Sequence, residues 1–135
     1  MYDIAIIGGG VIGCALAREL SRYKASLVVL EKEDDVCSGS SKANSGISHA
    51  GFDAKPGTNK ARFNVLGSKM MKDYCEELGV KYKNNGALVI AFGKEDEKTL
   101  EELLERGKIN GVDGLEILDQ KRLHEVEPNV SPEAT

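Results

Sequence analysis

The sequence predicts an α/β fold with a parallel sheet, and three observations near its start lead to that prediction. Residues Ile4–Ile7 form an unbroken apolar run, as expected of a short parallel strand that is covered on both faces. A glycine-rich turn follows, and the apolar segment Val11–Leu20 then predicts a helix. A second apolar run, Leu27–Leu30, predicts another short strand, so the segment is typical of a β-α-β unit in a doubly wound sheet.

The glycines between the first strand and the helix have the spacing of a dinucleotide-binding turn. Gly8, Gly10 and Gly13 match the pattern G-x-G-x-x-G. In that pattern the first glycine allows the tight turn, the second lets the backbone approach a pyrophosphate, and the third lets helix and strand pack closely. The phosphates would lie on the free N–H groups at the positive end of the helix.

An acidic residue follows the second predicted strand at the position that such a site needs. Glu31 lies 18 residues after Gly13, close to the roughly 20 expected for the carboxylate that accepts the ribose hydroxyls. Because a carboxylate repels a 2′-phosphate, a nucleotide without that group is predicted. The alternative is an ordinary strand-turn-helix without a ligand. It is disfavoured because strands, glycines, helix and acid all occur in the required order.

Composition narrows the class of protein and the kinds of site. The 135 residues suffice for one modest domain with a core, and the net charge of −4 provides no basic stripe for nucleic acid. The chain has an odd number of cysteines, without the spacing of metal ligands: Cys14, Cys37 and Cys75. We therefore expect no disulfide framework and no metal site, and we expect the protein to reside in a reducing cytoplasm. The apolar start lacks a basic segment before it, so a targeting signal is not predicted.

Residues 37–51 are rich in serine and glycine and almost free of charge. A flexible linker is one interpretation of this composition. Asn44, Ile47 and His49 are interspersed among the small residues, which is unusual for a linker. The pattern therefore favours a loop whose backbone and hydroxyl groups lie along a bound ligand.

Four features occur together in this chain: the glycine motif, Glu31, residues 40–51 and the following Lys55-Pro56-Gly57-Thr58. This combination resembles the flavin-dependent oxidoreductases of the D-amino-acid oxidase superfamily. The resemblance is greatest to FAD-dependent glycerol-3-phosphate and L-2-hydroxyglutarate dehydrogenases. It implies a Rossmann-like FAD-binding domain, begun by residues 1–78, and an α+β substrate domain of which residues 79–135 are the start. Because members of this family are much longer, we expect the chain to be an N-terminal fragment of an enzyme.

The resemblance also implies roles for individual residues. The three glycines and the amides of Val11 and Ile12 would hold the FAD pyrophosphate. Glu31 would bind the adenosine ribose, with Lys32 beside it. Four polar residues would line the flavin side of the cofactor: Ser40, Ser41, Asn44 and Ser45. His49 corresponds to a histidine that several relatives place near the isoalloxazine ring, and some relatives link that histidine covalently to the flavin.

The implied reaction is oxidation of a small anionic secondary alcohol such as glycerol 3-phosphate, with hydride transfer to the flavin. His49 is the candidate catalytic base, although it could instead pack on the flavin without moving a proton. L-2-hydroxyglutarate and an amino acid remain alternative substrates. The electron acceptor is left open among a quinone, oxygen and an iron–sulfur partner, as is a peripheral membrane association of the parent enzyme.

Two other functions fit the same glycine motif. The first is an enzyme that uses NAD, but the extended loop after Glu31 favours FAD, because a flavin needs a longer loop beyond the second strand. The second is a nucleotide-binding or structural piece without activity.

The rest of the chain predicts three helices and three short strands. Helices are predicted at residues 59–78, with Thr58 as N-cap and Gly79 as C-cap, at residues 95–106, and after Asp119 as far as Pro128. Residues 80–92 predict a hairpin around Asn85-Gly86, and residues 116–118 predict one more strand.

Overall fold

The computed structural model describes every residue from Met1 to Thr135, and the chain forms two compact units, Met1–Ile47 and Ser48–Thr135. The first unit contains β1 (Ile4–Ile7), α1 (Val11–Leu20) and β2 (Leu27–Leu30). The second contains α2 (Asn59–Glu77), α3 (Lys94–Asn110) and α4 (Gln120–Val126). None of these helices combines the length and the apolar character needed to cross a membrane. The domain boundary after Leu78 stays a prediction about the longer protein.

The first unit is the predicted β-α-β unit. Strands β1 and β2 pair in parallel, with Ile4 opposite Leu27 and Ile7 opposite Leu30, and α1 connects them. The carboxylate of Asp3 secures the start of this ladder, because it accepts hydrogen bonds from the Ser26 amide at 2.8 Å and hydroxyl at 2.7 Å. The Ser26 hydroxyl, and then its amide, lower the pKa of Asp3 from its ordinary value.

Burial of β1 differs from the expectation of a strand covered on both faces, which was wrong for this chain. Ile6 is 6% exposed, whereas its neighbour Ile7 is 89% exposed. The physical reason is that the first unit has two strands and one helix, and α1 can cover a single face of the sheet. Ile7, and Leu30 opposite it at the end of β2, therefore remain exposed.

Helix α2 confirms the predicted start of the long amphipathic segment, but it ends at Glu77, one residue earlier than predicted, and its C-cap is Leu78 rather than Gly79. The hydroxyl of Thr58 accepts a hydrogen bond from the Ala61 amide at 3.2 Å, which makes Thr58 the N-cap. At the other end, the Val80 amide donates to the Cys75 carbonyl at 2.8 Å, and Gly79 is the residue that reverses the chain. Both ends are therefore closed by local hydrogen bonds.

Helix α3 is longer than the predicted residues 95–106, because it continues to Asn110 and ends at Gly111. The Val112 amide closes this end by donating to the Gly107 carbonyl at 3.0 Å. Helix α4 begins as predicted, since the carboxylate of Asp119 accepts from the Arg122 amide at 2.8 Å.

The predicted strands at residues 80–92 and 116–118 are absent, and both predictions were wrong. Gly86 has a positive φ of 75°, but no turn is formed there and the flanking segments do not pair. Leu88 and Val89 are 42% and 49% exposed. Because a two-stranded hairpin is marginal without a covered apolar face, the turn signal alone does not produce strands here.

Candidate cofactor-binding site

The turn between β1 and α1 depends on two glycines in close contact. Gly8 has φ of 102°, a conformation that other residues rarely adopt. A Cβ atom on Gly13 would lie 1.9 Å from the Gly8 carbonyl oxygen, so any side chain there would collide with backbone. The Gly8 amide also donates to the Leu30 carbonyl at 2.8 Å, which joins the turn to the end of β2. The glycine spacing is thus required for the helix to begin directly above the strand ends.

The N-terminus of α1 offers backbone donors to an anion. Gly10 is the N-cap and has no side chain to bond the first turn, whose N–H groups have no partners within a helix. Val11 and Ile12, the first residues of α1, are 62% and 82% exposed. The hydroxyl of Ser41, from the loop after β2, accepts a hydrogen bond from the Val11 amide at 2.9 Å. The structure therefore brings Ser41 to the positive end of the helix.

Glu31 is fixed against the same turn by backbone amides. Its Oε2 accepts from the Gly9 amide at 2.7 Å, and its Oε1 accepts from the amides of Lys32 at 2.8 Å and Glu33 at 3.1 Å. These hydrogen bonds, with Glu33 first, then Gly9 and Lys32, lower the pKa of Glu31 from its ordinary value, so the carboxylate is ionised at neutral pH. A carboxylate has about four acceptor positions, which leaves room for a ribose hydroxyl.

The other predicted loop residues have different surroundings. Asn44 shapes the loop, because its amide group donates to the Ser41 carbonyl and its Oδ1 accepts from the Gly46 amide at 2.7 Å. Ser40 and Ser45 are exposed. The side chain of Lys32 is 87% exposed and pairs with Glu33 at 3.2 Å.

His49 lies in the second unit and is exposed. Of the residues predicted from the sequence, the structure therefore brings together the three glycines, the first residues of α1, Glu31 and Ser41.

Sequence reasoning missed two residues of this site, Gly9 and Cys37. Gly9 is buried, its amide binds Glu31, and its carbonyl accepts from the Cys37 amide at 2.9 Å. A Cβ atom on Gly9 would lie 3.2 Å from Glu31 Oε2. The uninterrupted Gly8-Gly9-Gly10 was the available signal for Gly9. Nothing in the sequence indicated Cys37, which has φ of 58° although it is not a glycine.

Comparison with known proteins identifies the family. The profile of the family described as FAD dependent oxidoreductase (DAO) matches residues 3–135. The chain belongs to this family. The FAD-dependent oxidoreductase assignment confirms the resemblance inferred from the glycine motif, Glu31 and the serine-rich loop. It also decides against the NAD alternative, because FAD is the cofactor of the family.

Individual relatives agree with the family assignment. A glycerol 3-phosphate dehydrogenase of Caloramator mitchellensis is 50% identical over 131 residues, which are 97% of this chain and 27% of the relative. A mitochondrial L-2-hydroxyglutarate dehydrogenase of Dictyostelium discoideum is 42% identical over 134 residues, 97% of this chain and 30% of the relative. The chain thus spans less than a third of the length of these two proteins.

A solved structure extends the likeness to three dimensions. Dithionite-reduced L-α-glycerophosphate oxidase from Mycoplasma pneumoniae, with FAD bound, matches with a TM-score of 0.85 and 33% identity. The match covers 98% of this chain and 35% of the oxidase. It confirms the predicted α/β fold class. The donor set described above, amides at a helix N-terminus beside an ionised carboxylate, fits the pyrophosphate and ribose of FAD.

Proposed function

We propose that this chain binds FAD and belongs to a dehydrogenase that oxidises a small anionic secondary alcohol such as glycerol 3-phosphate. The observation that carries the proposal is the β1–α1 turn, where Gly13 lies against Gly8 and Glu31 binds the Gly9 amide. This geometry presents amides and a carboxylate to a dinucleotide. The 50% identity to a glycerol 3-phosphate dehydrogenase supports the substrate class.

The first unit would hold the adenosine and phosphate portion of FAD. The Ile12 amide would donate to the pyrophosphate directly, and the Val11 amide would act through the Ser41 hydroxyl to which it is bonded. Glu31 keeps acceptor capacity for the ribose hydroxyls while three backbone amides fix its position. The Ser41 hydroxyl, which caps Val11, would remain beside the phosphate as a further donor.

The loop that follows would line the flavin side of FAD. Ser40, Asn44 and Ser45 are proposed for this role because they lie close in sequence to Ser41, whose hydroxyl contacts the helix N-terminus. When bound, FAD supplies the hydride acceptor for the reaction. The protein must still remove the proton of the substrate hydroxyl, and His49 is the proposed base because imidazole accepts protons near neutral pH.

The 42% identity to an L-2-hydroxyglutarate dehydrogenase favours a second substrate, L-2-hydroxyglutarate. This compound and glycerol 3-phosphate share a secondary alcohol and an anionic group, so the same hydride and proton transfers would serve either one. An amino acid would be the third substrate class. The electron acceptor belongs to the same proposal and would be a quinone, oxygen or an iron–sulfur partner.

The first experiment tests the cofactor. The purified protein is incubated with FAD, passed through a desalting column and examined by visible absorption spectroscopy. A flavin spectrum that stays with the protein is expected, and the Gly13→Ala variant should lose it. A wild-type protein that elutes colourless would contradict FAD binding by this chain. Colour that remains on acid-precipitated protein would indicate a covalent link, for which His49 is the candidate.

The second experiment tests the reaction. FAD-loaded protein is mixed with glycerol 3-phosphate, L-2-hydroxyglutarate or an amino acid, and reduction of an artificial electron acceptor is recorded. Turnover with one of the two hydroxy compounds is expected from the complete enzyme to which this chain is proposed to belong. His49→Ala should abolish it, whereas His124→Ala, at the other histidine of the chain, should not. Bound FAD without any turnover would instead support a non-catalytic nucleotide-binding role for this chain.

A further inference from the structure

Two cysteine thiols converge on one backbone oxygen beneath the glycine turn. The Sγ of Cys14, in the first turn of α1, donates to the Gly9 carbonyl at 3.3 Å. The Sγ of Cys37, at the start of the serine-rich loop, donates to the same oxygen at 3.6 Å. Both residues are half-buried.

The two thiols are neighbours across a gap of 23 positions in the sequence. Burial first, and then the proximity of Cys14, raise the pKa of the Cys37 thiol. The Cys37 backbone is held in place by its own amide, which donates to the Gly9 carbonyl at 2.9 Å. Both sulfur atoms contact the same oxygen, so rotation of the two side chains is the movement proposed to bring them together.

We propose that Cys14 and Cys37 are an oxidation-sensitive thiol pair, and that hydrogen peroxide converts them to an intramolecular disulfide behind the phosphate-binding turn. In a reducing compartment such a disulfide is transient, as in redox-sensing proteins. The third cysteine, Cys75, lies in the second unit and takes no part.

The reaction balances with peroxide as the oxidant. Cys14 makes the first attack as a thiolate, after losing its proton to solvent. Its sulfur bonds to one peroxide oxygen, the O–O bond breaks, and the departing hydroxide takes up a proton to form water. Cys37 then attacks the resulting sulfenic acid and loses its proton, while the S–O bond breaks and a second water leaves. The two sulfur atoms together give up two electrons, and one peroxide becomes two waters.

The disulfide would disturb the turn that presents amides to a ligand. It removes both S–H donors from the Gly9 carbonyl. This carbonyl and the Gly10 amide belong to one trans peptide and point in opposite directions, so the thiols hold the orientation of a peptide whose amide is proposed to donate to the ligand. This step rests on the proposed function. Loss of such hydrogen bonds predicts FAD binding weakened by about threefold to tenfold.

The test begins with the covalent change. The reduced protein is treated with hydrogen peroxide, remaining thiols are alkylated, and the digest is analysed by mass spectrometry. A peptide pair joined through Cys14 and Cys37 is expected in the wild type and in the Cys75→Ser control, with reversal by dithiothreitol. It should be absent from Cys14→Ser and Cys37→Ser. Sulfinic acid on separate cysteines, or disulfides between chains, would overturn the proposal.

In the second measurement, the FAD affinity of each protein is determined before and after peroxide treatment, and the two values for the same protein are compared. The wild type and Cys75→Ser should lose affinity, whereas Cys14→Ser and Cys37→Ser should not change. Equal affinity before and after disulfide formation would overturn the coupling to FAD while leaving the thiol pair established. If the reduced protein does not bind FAD at all, the proposed function and the coupling fail, and the disulfide map still decides the thiol chemistry.

Discussion

Substitution of Gly13 by alanine tests whether close packing of α1 on β1 organises the first unit. The new Cβ atom would lie 1.9 Å from the Gly8 carbonyl oxygen and 3.1 Å from its carbon. Real Cβ contacts stay above 3.0 Å, so helix and strand would have to separate by at least the difference of about 1.1 Å. Both atoms that the new Cβ would contact belong to the backbone of Gly8, so no change of side-chain rotamer can relieve the collision.

The expected loss of stability follows from two opposing terms. Overpacking of this kind costs about 1–3 kcal/mol, and the rigid backbone favours the upper end of that range. Alanine in a helix interior regains about 0.5–1 kcal/mol relative to glycine. The net expectation is a loss of about 2 kcal/mol in the free energy of unfolding, which corresponds to a decrease in Tm of roughly 8 °C.

Urea and thermal unfolding, followed by circular dichroism, would measure this loss. Gly67→Ala is the matched control, because Gly67 lies within α2 and a Cβ atom there has nothing within 4 Å. It makes the same exchange in a helix without a collision, and it should stabilise the protein by about 0.5–1 kcal/mol. If Gly13→Ala were as stable as the wild type, the argument from backbone contact would be refuted.

Three further predictions concern hydrogen bonds at the site and at a helix end. The pKa values of Glu31 and Asp3 are lowered in the folded state, so both carboxylates should stabilise the fold fully above their ordinary pKa values of 4.5 and 3.8. This stabilisation should be lost as the pH falls through the folded-state pKa values, which the free energy of unfolding measured against pH would show. Glu31→Gln should make that pH dependence shallower, and an unchanged dependence would contradict the reasoning. Glu31→Gln should also weaken FAD binding, by roughly tenfold in a fluorescence titration, because an amide group would face the Gly9 donor. Ser41→Ala should lower the free energy of unfolding by about 0.5–2 kcal/mol and should also weaken FAD binding. Thr58→Ala should lower the free energy of unfolding in urea by a similar amount without changing the FAD affinity.

Local patterns were sufficient where a neighbour in sequence supplies the partner. Thr58 and Asp119 were recognised as N-caps because the amides they bind lie three residues away. The same local logic predicted a turn at Asn85-Gly86, but the strands on either side also needed a covered apolar face, which this chain does not provide. Pairing is non-local, so the Asn85-Gly86 signal alone did not produce the hairpin: Gly86 has a positive φ, but neither the turn nor the strands form.

The candidate site also contains features that local sequence predicts and contacts that it does not. The spacing of Gly8, Gly10 and Gly13 and the distance to Glu31 were enough to predict a dinucleotide site, since each residue type has a direct steric or chemical role. The amide of Gly9 as the partner of Glu31, at 2.7 Å, could not be predicted, because several glycine amides were equally available in the sequence.

The sequence by itself determined the β-α-β unit, the glycine turn and the acid that follows β2, because apolar periodicity and glycine sterics act over short distances. Only the tertiary structure decided which groups meet: Ser41 on the Val11 amide, and Cys14 with Cys37 on the Gly9 carbonyl. Those contacts join residues up to 30 positions apart. They depend on the path of the loop after β2, which is set by packing and hydrogen bonding rather than by any local pattern.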